Sequence, residues 1–156
     1  YSVEKIEDIF AYRGITKGWH TGDNAASMAQ TDVLLQEIEE GFVFANFIDF
    51  DMMYGHRRDP KGYATCLEHM DAWLANAIPH LREGDVMILT ADHGNDPTFK
   101  GTDHTREYVP VMVRGGGFTP GPVGERGTFA DIGQTLADYF GVDAMQDGNS
   151  FLPQAA

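Results

Sequence analysis

The chain has 156 residues, with 24 acidic against 11 basic side chains, a formal net charge of −13 and a mean hydropathy of −0.31. Its 42% hydrophobic and 22% charged content suits a globular chain with a buried core and argues against disorder, a collagen-like repeat or a coiled coil. No basic run is present to hold nucleic acid or an anionic membrane, and no apolar stretch approaches the roughly 20 residues that cross a bilayer. The single cysteine, Cys66, forms no internal disulfide and reads as a small buried hydrophobe. With no basic start or apolar run at the N-terminus, the expectation is a cytoplasmic protein. The first residue is Tyr1, and patterned sequence follows at once, as in a segment of a longer protein.

In chain order, Tyr1 to Val3 reads as a short strand and the stretch from Glu4 to Tyr12 as a helix, with Ile6, Ile9 and Phe10 at helical spacing. Residues 13–23 form a glycine-bearing loop ending in the helix-capping pair Asp23-Asn24. The next helix carries Met28, Val33, Leu34, Leu35 and Ile38 and stops at Gly41. Phe42 to Ile48 is a near-continuous apolar run, the pattern of a parallel strand covered on both faces. A charged loop from Asp49 to Pro60 leads to a long amphipathic helix with Tyr63, Leu67, Met70, Trp73, Leu74, Ala77, Ile78 and Leu81 on its apolar stripe. Val86 to Ala91 is a second buried strand and Val109 to Val113 a third. Thr128 caps a last helix that ends at Gly141. This order predicts an α/β fold with a mostly parallel sheet, whose ligands gather beyond the carboxyl ends of the strands.

Both predicted carboxyl edges are rich in metal-ligand chemistry. Asp51 and His56 follow the first buried strand, Asp92 and His93 follow the second, and His104 lies in the loop after them. Carboxylate and imidazole together suit Mn²⁺, Zn²⁺ or Fe²⁺, and one cysteine excludes a thiolate site. Five candidates exceed what one tetrahedral site takes, so two metals fit, an arrangement that stabilises attacking and leaving oxygens in phosphoryl transfer. Taken singly, an Asp or His after a strand is usually a cap or a solvated loop side chain. The adjacency of Asp92 and His93 before Gly94 is the more specific signal. Arg57, Arg58 and Arg106 stand beside these candidates, where they either hold phosphate or pair with Asp49, Asp59 or Glu107. Asp49, Asp96 and Asp103 are either orienting partners of the histidines or solvated loop residues. His69 and His80 read as helix-surface residues and His20 as structural.

The segments Asn46 to Asp59, Leu89 to Thr98, Gly101 to Glu107 and Thr128 to Gly133 closely resemble the phosphopentomutase family of the alkaline-phosphatase superfamily, and the likeness runs from Lys5 to the last helix. The resemblance implies an alkaline-phosphatase-like core with helices on both faces of its mostly parallel sheet. It implies interconversion of ribose 1-phosphate and ribose 5-phosphate, and of their deoxy forms, with two Mn²⁺ ions per complete enzyme. In that family one ion is held by residues matching Asp51, His56 and His104. The other is held by those matching Asp92 and His93, completed by an N-terminal aspartate and a phosphorylated threonine. In that family the phosphothreonine passes its phosphate to the sugar, giving a bisphosphate intermediate that returns its other phosphate to the enzyme. That aspartate, the nucleophilic threonine and the sugar-gripping cap domain have no counterpart here, and proximity alone does not make Thr90 or Thr105 the nucleophile.

The expectation is therefore one partial catalytic-core domain over 1–156, with 1–23 as a remnant of the hinge to a cap. It would bind a pentose phosphate once the N-terminal half of the core, or a chain supplying it, completes the site, and alone it would be inactive. Two alternatives stay open. One is another metal-dependent phosphomutase or phosphatase of the superfamily, such as a cofactor-independent phosphoglycerate mutase. The other is a non-catalytic metal-binding fragment.

Overall fold

The computed structural model describes residues 1–153; the last three residues of the expected 1–156 domain lie outside them. Within these residues the chain forms two compact units. The first comprises Tyr1–His80 with His93–Glu107, and the second comprises Leu81–Asp92 with the chain from Tyr108 onward.

The first unit is built on a three-stranded parallel sheet in the order β2-β1-β3, from β1 (Ser2–Val3), β2 (Gly18–Trp19) and β3 (Phe44–Ala45). Central β1 is fully buried, while the expected strand over 42–48 shortens to two residues. It is also not covered on both faces, since Phe42 and Phe44 are about 40% exposed on an edge strand. The helix expected over 4–12 reduces to α1 (Ile6–Ile9), because Glu4, Ala11 and Tyr12 on either side take left-handed φ values of 65°, 49° and 59°. The buried Glu4 carboxylate is held by Thr21 N, Thr21 Oγ1 and Gly22 N at 2.7–2.9 Å. Burial alone would raise its pKa; these donors outweigh burial and hold it below the usual value.

Helix α2 (Asn24–Glu37) starts as expected at Asp23, whose side chain accepts from Ala26 N at 2.7 Å, but ends before Gly41. Its buried stripe is Asn24, Ser27, Thr31 and Leu34, mostly polar, and Val33 is exposed. These polar groups are satisfied where they lie: Ser27 and Thr31 bond to carbonyls one turn back, and Asn24 to Asp49 and Cys66. Helix α3 (Pro60–Ala77) begins with proline at its first position and Asp59 as its cap, and a 3₁₀ turn, Ile78–His80, follows it. Trp73 on α3 stacks obliquely on Phe47 and donates to Asp32 at 2.9 Å. Cys66 is buried, with its thiol pKa raised by burial, and His69 and His80 are exposed.

In the second unit, β4 (Val86–Thr90) pairs with β5 (Val111–Gly115) in antiparallel register, Ile88 opposite Val113. Antiparallel neighbours need no crossover helix, and the segment joining these two has none. Helix α4 (Ala130–Phe140) ends at Gly141 with φ 63°, the left-handed cap expected there. Its buried polar face fastens the following chain. Asp131 takes Arg126 Nε and Asn149 N at 2.9 and 2.8 Å, Gln134 takes Met145 N, and Thr135 takes Phe151 N. The Asn149 amide and the Arg126 guanidinium hold the Asp131 carboxyl below its ordinary pKa against the opposing effect of burial. Among the described residues no helix is long and apolar enough to cross a membrane.

Candidate metal centre

The run after β3, expected as a loop, is a π-helical turn over Phe50–Gly55. A π turn closes its hydrogen bonds between residues five apart, and His56 N donates to Asp51 O at 3.0 Å. Residues 51 and 56 therefore share one face, with Asp51 Oδ2 and His56 Nε2 3.3 Å apart. The turn is braced by α3, whose first turn lies against it with Phe50 and Tyr63 at a ring separation of 5.5 Å. The exit is tight: Arg58 takes a left-handed φ of 54° as Asp59 N reaches back to Tyr54 O.

The segment His93–Glu107 of the same unit supplies the remaining groups. A bridge between Gly94 and Thr105 ties its ends, and Asp96 N donates to Thr105 Oγ1 at 2.8 Å. This fold-back stacks the His93 ring on His104 with centroids 3.8 Å apart, and it brings His104 Nε2 to 3.2 Å from Asp51 Oδ1 and 3.1 Å from His56 Nε2. Asp51, His93 and His104 offer ligand atoms within 4.8 Å of one another. Asp92 immediately precedes them in sequence, belongs to the second unit and is exposed.

The donor set fits a divalent cation. His56 Nδ1 faces Thr102 O at 2.5 Å, a carbonyl that can only accept, so Nδ1 carries a proton, and a neutral ring held this way turns its Nε2 lone pair inward. A carboxylate and an imidazole lone pair then converge with a second imidazole at edges of 3.1–3.3 Å. Metal–ligand bonds of about 2.1 Å give ligand–ligand edges of roughly 3.0–3.4 Å in octahedral and tetrahedral sites. Converging acceptors repel one another unless a proton or a cation lies among them.

The neighbouring charges behave less as expected. Arg57, Arg58 and Arg106 are exposed and make no ion pair among the described residues. Two of their expected partners are engaged elsewhere: Asp49 exchanges hydrogen bonds with Asn24, and Asp59 accepts from Gly62 N. Asp96 turns to Thr98, whose hydroxyl and amide hold its carboxyl below the ordinary pKa, so Asp96 does not orient a histidine. Sequence reasoning missed the Thr102 carbonyl behind His56, and it missed Asn95, which donates to Asp51 Oδ1 at 2.6 Å. The glycine before His56 was the available signal for the second. A Cβ at Gly55 would stand 2.4 Å from the Asn95 amide.

Known proteins match this amino-acid sequence over nearly the whole chain. A phosphopentomutase of Anaeromyxobacter sp. (strain Fw109-5) is 53% identical over 150 residues, 96% of this chain and 38% of that protein. A phosphopentomutase of Alkaliphilus metalliredigens is 49% identical with the same coverage, and one of Vibrio cholerae serotype O1 is 52% identical over 97% of this chain and 37% of its own length. The chain thus spans just under two fifths of the relatives it matches. The pattern of the Metalloenzyme superfamily fits residues 3–144, which takes in every group that converges on Asp51, and this chain belongs to that superfamily.

Proposed function

We propose that this chain is the metal-ligating part of a phosphopentomutase core, in an enzyme that interconverts ribose 1-phosphate and ribose 5-phosphate, and their deoxy forms, through a phosphoenzyme and a bisphosphate. The observation that carries the reading is the convergence of Asp51, His56 and His104 at 3.1–3.3 Å in a chain about half identical to phosphopentomutases. These three would hold one Mn²⁺ ion, and Asp92 with His93 would contribute to a second. Bound divalent cations would stabilise the charge on phosphoryl oxygens during transfer. The chain's own part is to aim these donors: Thr102 O sets the His56 tautomer, and the 94–105 bridge positions His104.

In this reading 1–156 is one partial core domain, 1–23 leads toward a cap, and the nucleophilic threonine comes from the rest of the protein or from a second chain. Exposed Phe42 and Phe44 beside the β3 edge support a further segment covering that face. A cytoplasmic location agrees with the lone cysteine. The test is ³¹P NMR of ribose 1-phosphate incubated with the complete protein and Mn²⁺, beside the Asp51→Ala variant. Appearance of ribose 5-phosphate, abolished in the variant, is the expected result. No interconversion, or interconversion indifferent to Asp51, overturns the reading.

A further inference from the structure

Asp51 stands at the centre of the cluster and faces both His56 and His104, yet a carboxylate on a single Cβ–Cγ bond rotates freely unless something holds it. The group that holds it is Asn95. Its Nδ2 donates to Asp51 Oδ1 at 2.6 Å, a short, charge-assisted contact between partly buried groups. A second observation shows that the amide is seated and does not merely touch. Gly55, the buried last residue of the π turn, lies so close that a Cβ there would stand 2.4 Å from Asn95 Cγ and Nδ2 and 2.8 Å from Oδ1. The absence of a side chain at 55 is what lets the amide reach Asp51 across 44 residues of sequence.

We propose that Asn95 is a positioning residue for the metal centre: its side-chain amide fixes the rotation of the Asp51 carboxylate so that its oxygens face the two imidazoles before a cation arrives. The proposal rests on the reading that Asp51, His56 and His104 ligate a metal. A donor behind a ligating carboxylate acts on affinity through preorganisation, and loss of such a partner typically weakens binding about 10- to 100-fold. The role needs the N–H and not the volume of the side chain, which separates it from simple packing against Gly55.

The experiment is titration of the purified, metal-free protein with Mn²⁺, followed by calorimetry and by the free-ion EPR signal, for the unmutated protein, Asn95→Leu and Asn95→Ala. Thermal unfolding of each metal-free form is recorded alongside. Leucine keeps the volume and deletes the donor, so both variants are expected to bind Mn²⁺ about 10- to 100-fold more weakly. Binding by Asn95→Leu equal to that of the unmutated protein overturns the proposal and leaves the metal reading intact. Failure of the unmutated protein to bind Mn²⁺ removes both. Should either variant fail to fold, the Asn95 side-chain amide signals of the unmutated protein decide. Protection from solvent exchange and a shift on Mg²⁺ addition, a diamagnetic stand-in, are expected; signals like those of an exposed asparagine overturn the proposal.

Discussion

Gly55→Ala puts one methyl group into the contact that holds the Asp51 carboxylate. In an ordinary helix interior the exchange would gain about 1 kcal/mol, because alanine loses less backbone freedom on folding than glycine does. Here the added Cβ meets Asn95 Cγ and Nδ2 at 2.4 Å, whereas carbon contacts settle near about 3.5 Å, so the amide must retreat by roughly 1.1 Å. A retreat of that size along the line from Asp51 would stretch the 2.6 Å hydrogen bond to roughly 3.7 Å, beyond any useful range. Losing a bond to a charged group costs about 1.5–3 kcal/mol, and overpacking adds about 1–3 kcal/mol. Against the helix-propensity gain, the net is a destabilisation of about 1.5–5 kcal/mol with a weaker metal centre. Urea unfolding of the metal-free variant gives the first quantity and Mn²⁺ calorimetry the second. A variant as stable as the parent, with unchanged affinity, would refute the claim that Gly55 is required by the Asn95 amide.

His104→Ala removes the imidazole that faces both Asp51 and His56, and Mn²⁺ affinity should fall by at least about tenfold in the same calorimetric titration; unchanged affinity would remove His104 from the centre. Glu4→Gln weakens the acceptor for three donors and should cost roughly 1–3 kcal/mol in urea unfolding at pH 7. The sign with pH follows from a folded-state pKa below the reference 4.5. The Glu4 contribution is complete above that reference value and is lost as pH falls through the lower folded value, so the variant should show a flatter acid limb below the reference 4.5. A parent and variant with parallel acid limbs would contradict this. Arg57→Ala removes an exposed side chain with no ion pair among the described residues, so stability should change by less than about 0.5 kcal/mol; a larger loss would reveal a structural partner for this arginine.

Most of the candidate metal-ligand residues are legible in the sequence because they follow apolar runs, and strands end where ligands collect. Asp51, His56, Asp92 and His93 are picked out that way and His104 by its place in the polar loop that follows; the structure brings Asp51, His56, His93 and His104 into one cluster and leaves Asp92 exposed in the second unit. What the sequence hid is the geometry between them. The run from Phe50 to Gly55 has no propensity signature for a five-residue hydrogen-bond period; it adopts one where α3 and the 94–105 fold-back press on it. The strand over 42–48 was overestimated because an apolar run signals a need for cover and does not say how many residues pair. In α2 the reverse happened. Its apolar residues predict one stripe, although Asn24, Ser27, Thr31 and Leu34, at steps of three, four and three, trace the buried face.

These misses share a cause. Hydrophobic periodicity reports which face of an element is dry, and the candidate metal centre is built from groups whose positions are set by polar closure. Asp51 and His56 meet because the backbone takes a wider turn. That turn survives because polar groups bind its ends: Asp49 to Asn24 at the entrance, Asp59 to Gly62 at the exit, and Asn95 on the Asp51 carboxylate. At about 100° per residue, an α-helix over the same residues would carry His56 about 140° around the axis from Asp51, away from the carboxylate it now faces at 3.3 Å. The less stable local geometry is therefore the one that can ligate. The hydrogen bonds that keep it are as much a part of the centre as the ligands themselves.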